Sequence, residues 1–159
     1  MKTINLQALS NEVIDLACAS VSQGGGPFAA IILDPDGNVL AAANNVVTLS
    51  HDPTAHAEVS AIRKACAVIQ SHSLEGCTII SSCEPCPMCL GAIYWAGIEK
   101  VYYLASRHDA ADAGFSDEHI YTEINKKMEE RNIPFLHYDH PLSAKPFRDW
   151  LAMADKILY

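Results

Sequence analysis

From Ser10 to Leu104 the apolar residues switch repeatedly between helical and extended spacing, and that alternation leaves few architectures open. Leu9, Val13, Leu16, Ala17 and Ser20 line one side of a helix predicted from Ser10 to Gln23, which Gly24-Gly25-Gly26 stops because three glycines favour non-helical backbone. Phe28 to Leu33 and Val39 to Ala43 flank Asp34-Pro35-Asp36-Gly37. There proline fixes one turn φ and glycine supplies a positive one, so a hairpin is expected. Asp52-Pro53-Thr54 offers a helix start before Val59, Ile62, Cys66 and Ile69, setting His56 and Glu58 in the first turn. Thr78 to Ser81 reads as a buried strand, Pro87 to Ala96 as a helix, and Lys100 to Leu104 as another strand. Strands interleaved with helices predict an α/β fold: a three-layer α/β/α sandwich around one mixed sheet, hairpin first.

Beyond Leu104, Asp117 is placed to cap a helix carrying Ile120, Ile124 and Met128, and Ile133 to Tyr138 reads as a fifth strand. From Pro146 a closing helix carries Phe147, Trp150, Leu151, Ala154, Ile157 and Leu158 on one face and leads to Tyr159. No repeat or long Pro/Gly/Ser linker divides the chain, and 159 residues suit a single domain, 1–159. Eleven Lys and Arg stand against nineteen Asp and Glu, a net charge of -8, and basic residues never cluster beyond adjacent pairs. A surface that tracks nucleic-acid phosphates is therefore not expected. No apolar run approaches the ~20 residues that span a bilayer, and Met1-Lys2-Thr3-Ile4-Asn5 lacks the basic start of a signal peptide, so a cytoplasmic protein without membrane partners is expected.

Three of the six cysteines (18, 66, 77, 83, 86, 89) fall within seven residues, which in a reducing compartment suggests metal ligation or redox chemistry. His56-Ala57-Glu58, 26 further residues and Pro85-Cys86-Pro87-Met88-Cys89 narrow the choice. Cys86 and Cys89 leave the same face of a helix start, whose positive end favours thiolates. One histidine nitrogen and two thiolates suit zinc and leave a fourth position for water, as catalytic zinc requires. Glu58 is then the carboxylate that takes and delivers protons. An iron-sulfur reading fails because Ile93 stands where the next cysteine is needed. A closed structural zinc recruiting Cys83, Cys77 or His51 leaves Glu58 unexplained. Cys18, Cys66, Cys77 and Cys83 are expected in the core, and His51, His72, His108, His119, His137 and His140 on the surface.

The arrangement H-x-E…P-C-x-x-C is the signature of zinc deaminases, so the chain resembles the cytidine-deaminase-like superfamily. Asn45 to Cys66, the run Ser82 to Trp95, Asp109 to Phe115 and the final aromatic look like bacterial guanine deaminase. The resemblance implies a five-stranded sheet and homodimers that exchange C-terminal segments (146–159 here). It also implies one zinc ion per subunit on His56, Cys86 and Cys89, and a purine base as substrate. Glu58 and Asp117 would be catalytic, with base contacts from Phe28, Asn45, the Ala57 backbone, Trp95 and Tyr159. Guanosine, cytosine or triazine-type deamination stays open, as do transfer-RNA adenosine deamination and a non-catalytic zinc module.

Overall fold

Asn5 accepts the Ala8 amide at 3.1 Å and so starts α1 (Leu6–Ser22) a turn before its predicted beginning, because a capping side chain decides a helix start where periodicity does not. The structure, a computed structural model, describes residues 4–158, which form two compact units that divide after Glu118. In the first unit β1 (Ala29–Leu33) and β2 (Val39–Asn44) form the expected hairpin. A one-turn α2 (Val47–Ser50) and the long α3 (Ala57–Ile69) lead to β3 (Thr78–Cys83), and α4 (Pro87–Trp95) crosses over to β4 (Lys100–Ala105). The sheet order is β2-β1-β3-β4, antiparallel except for the β3–β4 pair. β4 therefore ends the sheet, with no further strand on its outer edge among the described residues.

Every residue of β1 is buried, as expected of a central strand covered on both faces. Its odd-numbered side chains Ile31 and Leu33 join Ile80 and Val13 under α1; Ala30 and Ile32 join Ile79, Ala57, Ala61, Ala65 and Ile93 on the other side. Helices thus cover both faces of the sheet, giving the three layers. A further short helix, α5 (Arg107–Asp112), opens on a capping box in which Ser106 and Asp109 bind each other's backbone amides.

The second unit departs from expectation. The sheet has four strands, not five: Ile133 to Tyr138 forms no ladder, and Pro134 removes a donor near the start of the run. Its apolar side chains are exposed, Leu136 at 88%. α6 (Glu118–Asn125) ends before Met128, which lies in a separate 3₁₀ turn. There Glu123 pairs with Lys126 at 2.6 Å and accepts the Asn132 amide at 2.7 Å. The closing helix, α7 (Lys145–Ala152), stops short of Ala154, Ile157 and Leu158. Lys156 Nζ caps its last turn by donating to the carbonyls of Leu151 and Met153. Phe147 and Leu151 on α7 are exposed, and Tyr159 lies outside the described residues. Among the described residues no helix is long and apolar enough to cross a membrane.

Candidate active site

Two helix N-termini in the first unit meet beside the end of β3. His56 is the residue that begins α3 and Cys86 the one that begins α4, and neither side chain caps its own helix. Both are turned instead toward each other: Cys86 Sγ and Cys89 Sγ each lie 3.5 Å from His56 Nδ1, and the three donor atoms fall within 4.8 Å of one another. A four-coordinate zinc ion with sulfur at about 2.3 Å and nitrogen at about 2.0 Å separates neighbouring N and S ligand atoms by about 3.5 Å. The donor set fits that ion.

Its electrostatics fit as well. The hydrogen bond from Cys89, helped by His56, pushes the Cys86 thiol down to about 4, whereas the Cys89 thiol is pushed up by its bond to Cys86 and by burial. One thiolate therefore forms readily and the second is opposed by the charge beside it, the balance a divalent cation would relieve. The bond to Cys86 raises the pKa of His56 against the opposing effect of burial.

Glu58, in the first turn of α3, is 6% exposed, and burial raises its carboxyl pKa. A carboxyl held in this way is suited to accept and return protons. Ser81 on β3 lies against it, with Oγ 3.3 Å from Glu58 Oε1. Asp117, half-buried at the end of the unit, has a pKa raised by burial and further by the charge of Cys86.

Asn45, buried just past β2, is held through three atoms. Its amide donates to the Phe28 carbonyl (2.9 Å), its carbonyl accepts from Ser20 Oγ (3.3 Å), and its Oδ1 accepts from the Val47 amide (3.2 Å). The glycine run is packed against this residue: a Cβ on Gly25 would fall 2.5 Å from Ser20 Oγ and 2.8 Å from the Asn45 carbonyl oxygen. Half-buried Phe28 meets Phe115 edge to face, with centroids 5.1 Å apart.

Ala57 is buried as the first residue of α3, next to His56. Trp95 is not gathered with these groups. It is the last residue of α4, about 9 Å along the axis from Cys89, and 72% exposed. Cys77 and Cys83 are buried and Cys66 half-buried as expected, but Cys18 is exposed, because it lies on the flank of α1 away from Val13 and Ala17. Burial pushes the Cys83 thiol up to about 11, which marks it as a packing residue. Sequence reasoning missed Ser81, and it met Phe115 only as the end of a matching segment, not as the partner of Phe28. A serine at the end of a strand and an aromatic after a glycine carry no ligand spacing, and only strand register and loop path reveal what they touch.

Residues 3–105 match the family model for the cytidine and deoxycytidylate deaminase zinc-binding region. The chain is similar to guanine deaminase of Bacillus subtilis, with 50% identity over 157 residues, 98% of this chain and all of that protein. The solved structure of a Bacillus subtilis guanine deaminase superposes with a TM-score of 0.94, covering 98% of this chain and 99% of the other. A guanine deaminase structure from Nitrosomonas europaea superposes with a TM-score of 0.69 at 31% identity, covering 74% and 68%.

Proposed function

Since the chain belongs to the bacterial guanine deaminases, within the zinc-dependent cytidine-deaminase-like superfamily, we propose that it converts guanine and water to xanthine and ammonia. The observation that carries this reading is the convergence of His56 Nδ1 and the Cys86 and Cys89 sulfurs beside a buried carboxyl. Those three residues would hold one zinc ion per subunit. When bound, zinc supplies a nucleophile at neutral pH by lowering the pKa of water.

Glu58 takes the proton that water gives up and passes it to the ring nitrogen next to the carbon that bears the amino group. A new C–O bond forms at that carbon; Glu58 then takes the remaining proton of the new hydroxyl and delivers it to the amino group, the C–N bond breaks as the C=O bond forms, and ammonia leaves. Attack on an sp² carbon comes from one face, so orientation of the flat base matters. Phe28, backed by Phe115, offers a ring for stacking, and the Asn45 carboxamide offers donors to the purine edge. Asp117 meets the departing amino group, and the Ala57 backbone meets the base. Tyr159 completes the pocket in a cytoplasmic homodimer that exchanges residues 146–159. The exposed apolar side chains Phe147 and Leu151 support that exchange.

Ammonia release from the zinc-loaded protein, measured over guanine, guanosine, adenine, cytosine and an adenosine-containing RNA, tests the reading. Guanine should be turned over far faster than the rest. Release from the RNA but not from guanine would overturn it.

A further inference from the structure

On β3, one residue facing the apolar layer under α3 is a serine where an aliphatic side chain would pack. Ser81 stands two residues beyond Ile79 on the same face of the strand, opposite Ala30 on β1 and beside Tyr103 on β4. It is 2% exposed, so its hydroxyl must find a protein partner. That partner is Glu58, whose Oε1 lies 3.3 Å from Ser81 Oγ. The neighbouring Ser82 points the other way and accepts the Ala29 amide at 3.0 Å, so it ties the sheet together.

We propose that Ser81 is a positioning residue: its hydroxyl holds the Glu58 carboxyl in the rotamer from which protons are moved, in both protonation states. The proposal rests on the reading of Glu58 as the proton carrier. A carboxyl that alternates between acid and anion changes what it asks of a neighbour, accepting in one state and donating in the other. A hydroxyl can answer both demands by rotating, donating to the carboxylate and accepting from the acid. An ammonium or a methyl group cannot. The rigidity of the central sheet fixes the serine, and a hydrogen bond from a fixed atom restricts rotation of the long glutamate side chain.

Steady-state kinetics of zinc-loaded Ser81→Ala, Ser81→Val and Ser81→Thr test this, with the base that the wild-type protein deaminates fastest. Loss of one hydrogen bond to a charged group should lower kcat of the Ala and Val variants about ten- to a hundredfold, with zinc content kept and KM changed less than about threefold. Threonine has valine's shape plus the hydroxyl, so Ser81→Thr should recover most of the rate. Combined with Glu58→Gln, Ser81→Val should add little, because both changes disable one unit. A crystal structure of Ser81→Val should show the Glu58 carboxyl in another rotamer. The proposal is overturned alone if Ser81→Val keeps the wild-type kcat, if Thr and Val are equally slow, or if Ser81→Val slows Glu58→Gln as much as it slows the wild type. A zinc-loaded wild type that releases no ammonia from any base would instead overturn the reading of Glu58, and this proposal with it.

Discussion

At the level of single residues, Glu58 and the cysteines make separable demands on the protein. Glu58→Gln removes a proton carrier and leaves His56, Cys86 and Cys89 in place, so zinc content and thermal stability should persist while kcat falls roughly 10²- to 10⁴-fold. Cys86→Ala removes a donor and should lose the metal as well as the rate. Metal analysis beside kinetics on both variants checks the pair; equal zinc in both would refute the ligand assignment. These residues could be read from the sequence because each stands in a short motif at the start of a helix, where local spacing fixes which face a side chain leaves. Ser81 and Phe115 could not, since their partners Glu58 and Phe28 are 23 and 87 positions away along the chain. Trp95 shows the opposite limit. Its place at the far end of α4 follows from helix length, yet a motif containing both it and the cysteines suggests they act together.

At the level of elements, the glycine loop after α1 and the hairpin turn after β1 carry the sharpest expectations. Gly25→Ala would push a methyl group into Ser20 and the Asn45 carbonyl, displacing Asn45; a loss of about 1–3 kcal/mol in stability and a raised KM should follow, measured by denaturant unfolding and steady-state kinetics. In the turn, the Asn38 side chain and backbone amides hold the Asp34 carboxyl below its ordinary pKa. A lowered folded pKa means that the carboxylate's contribution is complete above the unfolded value and is lost as pH falls through the folded one. Asp34→Asn should therefore weaken the protein at neutral pH and flatten its stability as pH falls below the ordinary aspartate range, as thermal melts across acid pH would record. Strands and helices of the first unit were legible because apolar period and turn chemistry agree there. In the second unit they conflict. Ile133 to Tyr138 has the apolar content of a strand but contains Pro134, and the stripe that leads toward Leu158 is cut at Ala152 by a lysine cap that no periodicity announces.

On the scale of the whole molecule, the proposed exchange of residues 146–159 makes a testable demand on the last residue. Deleting Tyr159 should abolish guanine turnover with little change in zinc content or melting temperature. Mixing that deletion with Glu58→Gln under subunit-exchange conditions should restore part of the activity, because one mixed dimer would contain one intact site. Full activity in the deletion alone would end the idea, and a silent mixture would count against exchange. The outer edge of β4 has a different consequence. A strand that ends a sheet displays a row of unpaired amides and carbonyls, the template on which extended chains aggregate. Here that edge is six residues long, carries the half-exposed Tyr103 and is guarded by one charge, Lys100. Colloidal stability therefore falls to the net charge of -8, whose mutual repulsion keeps such edges apart. As acid titrates the carboxylates toward neutrality, the protein should begin to come out of solution before its sheet unfolds.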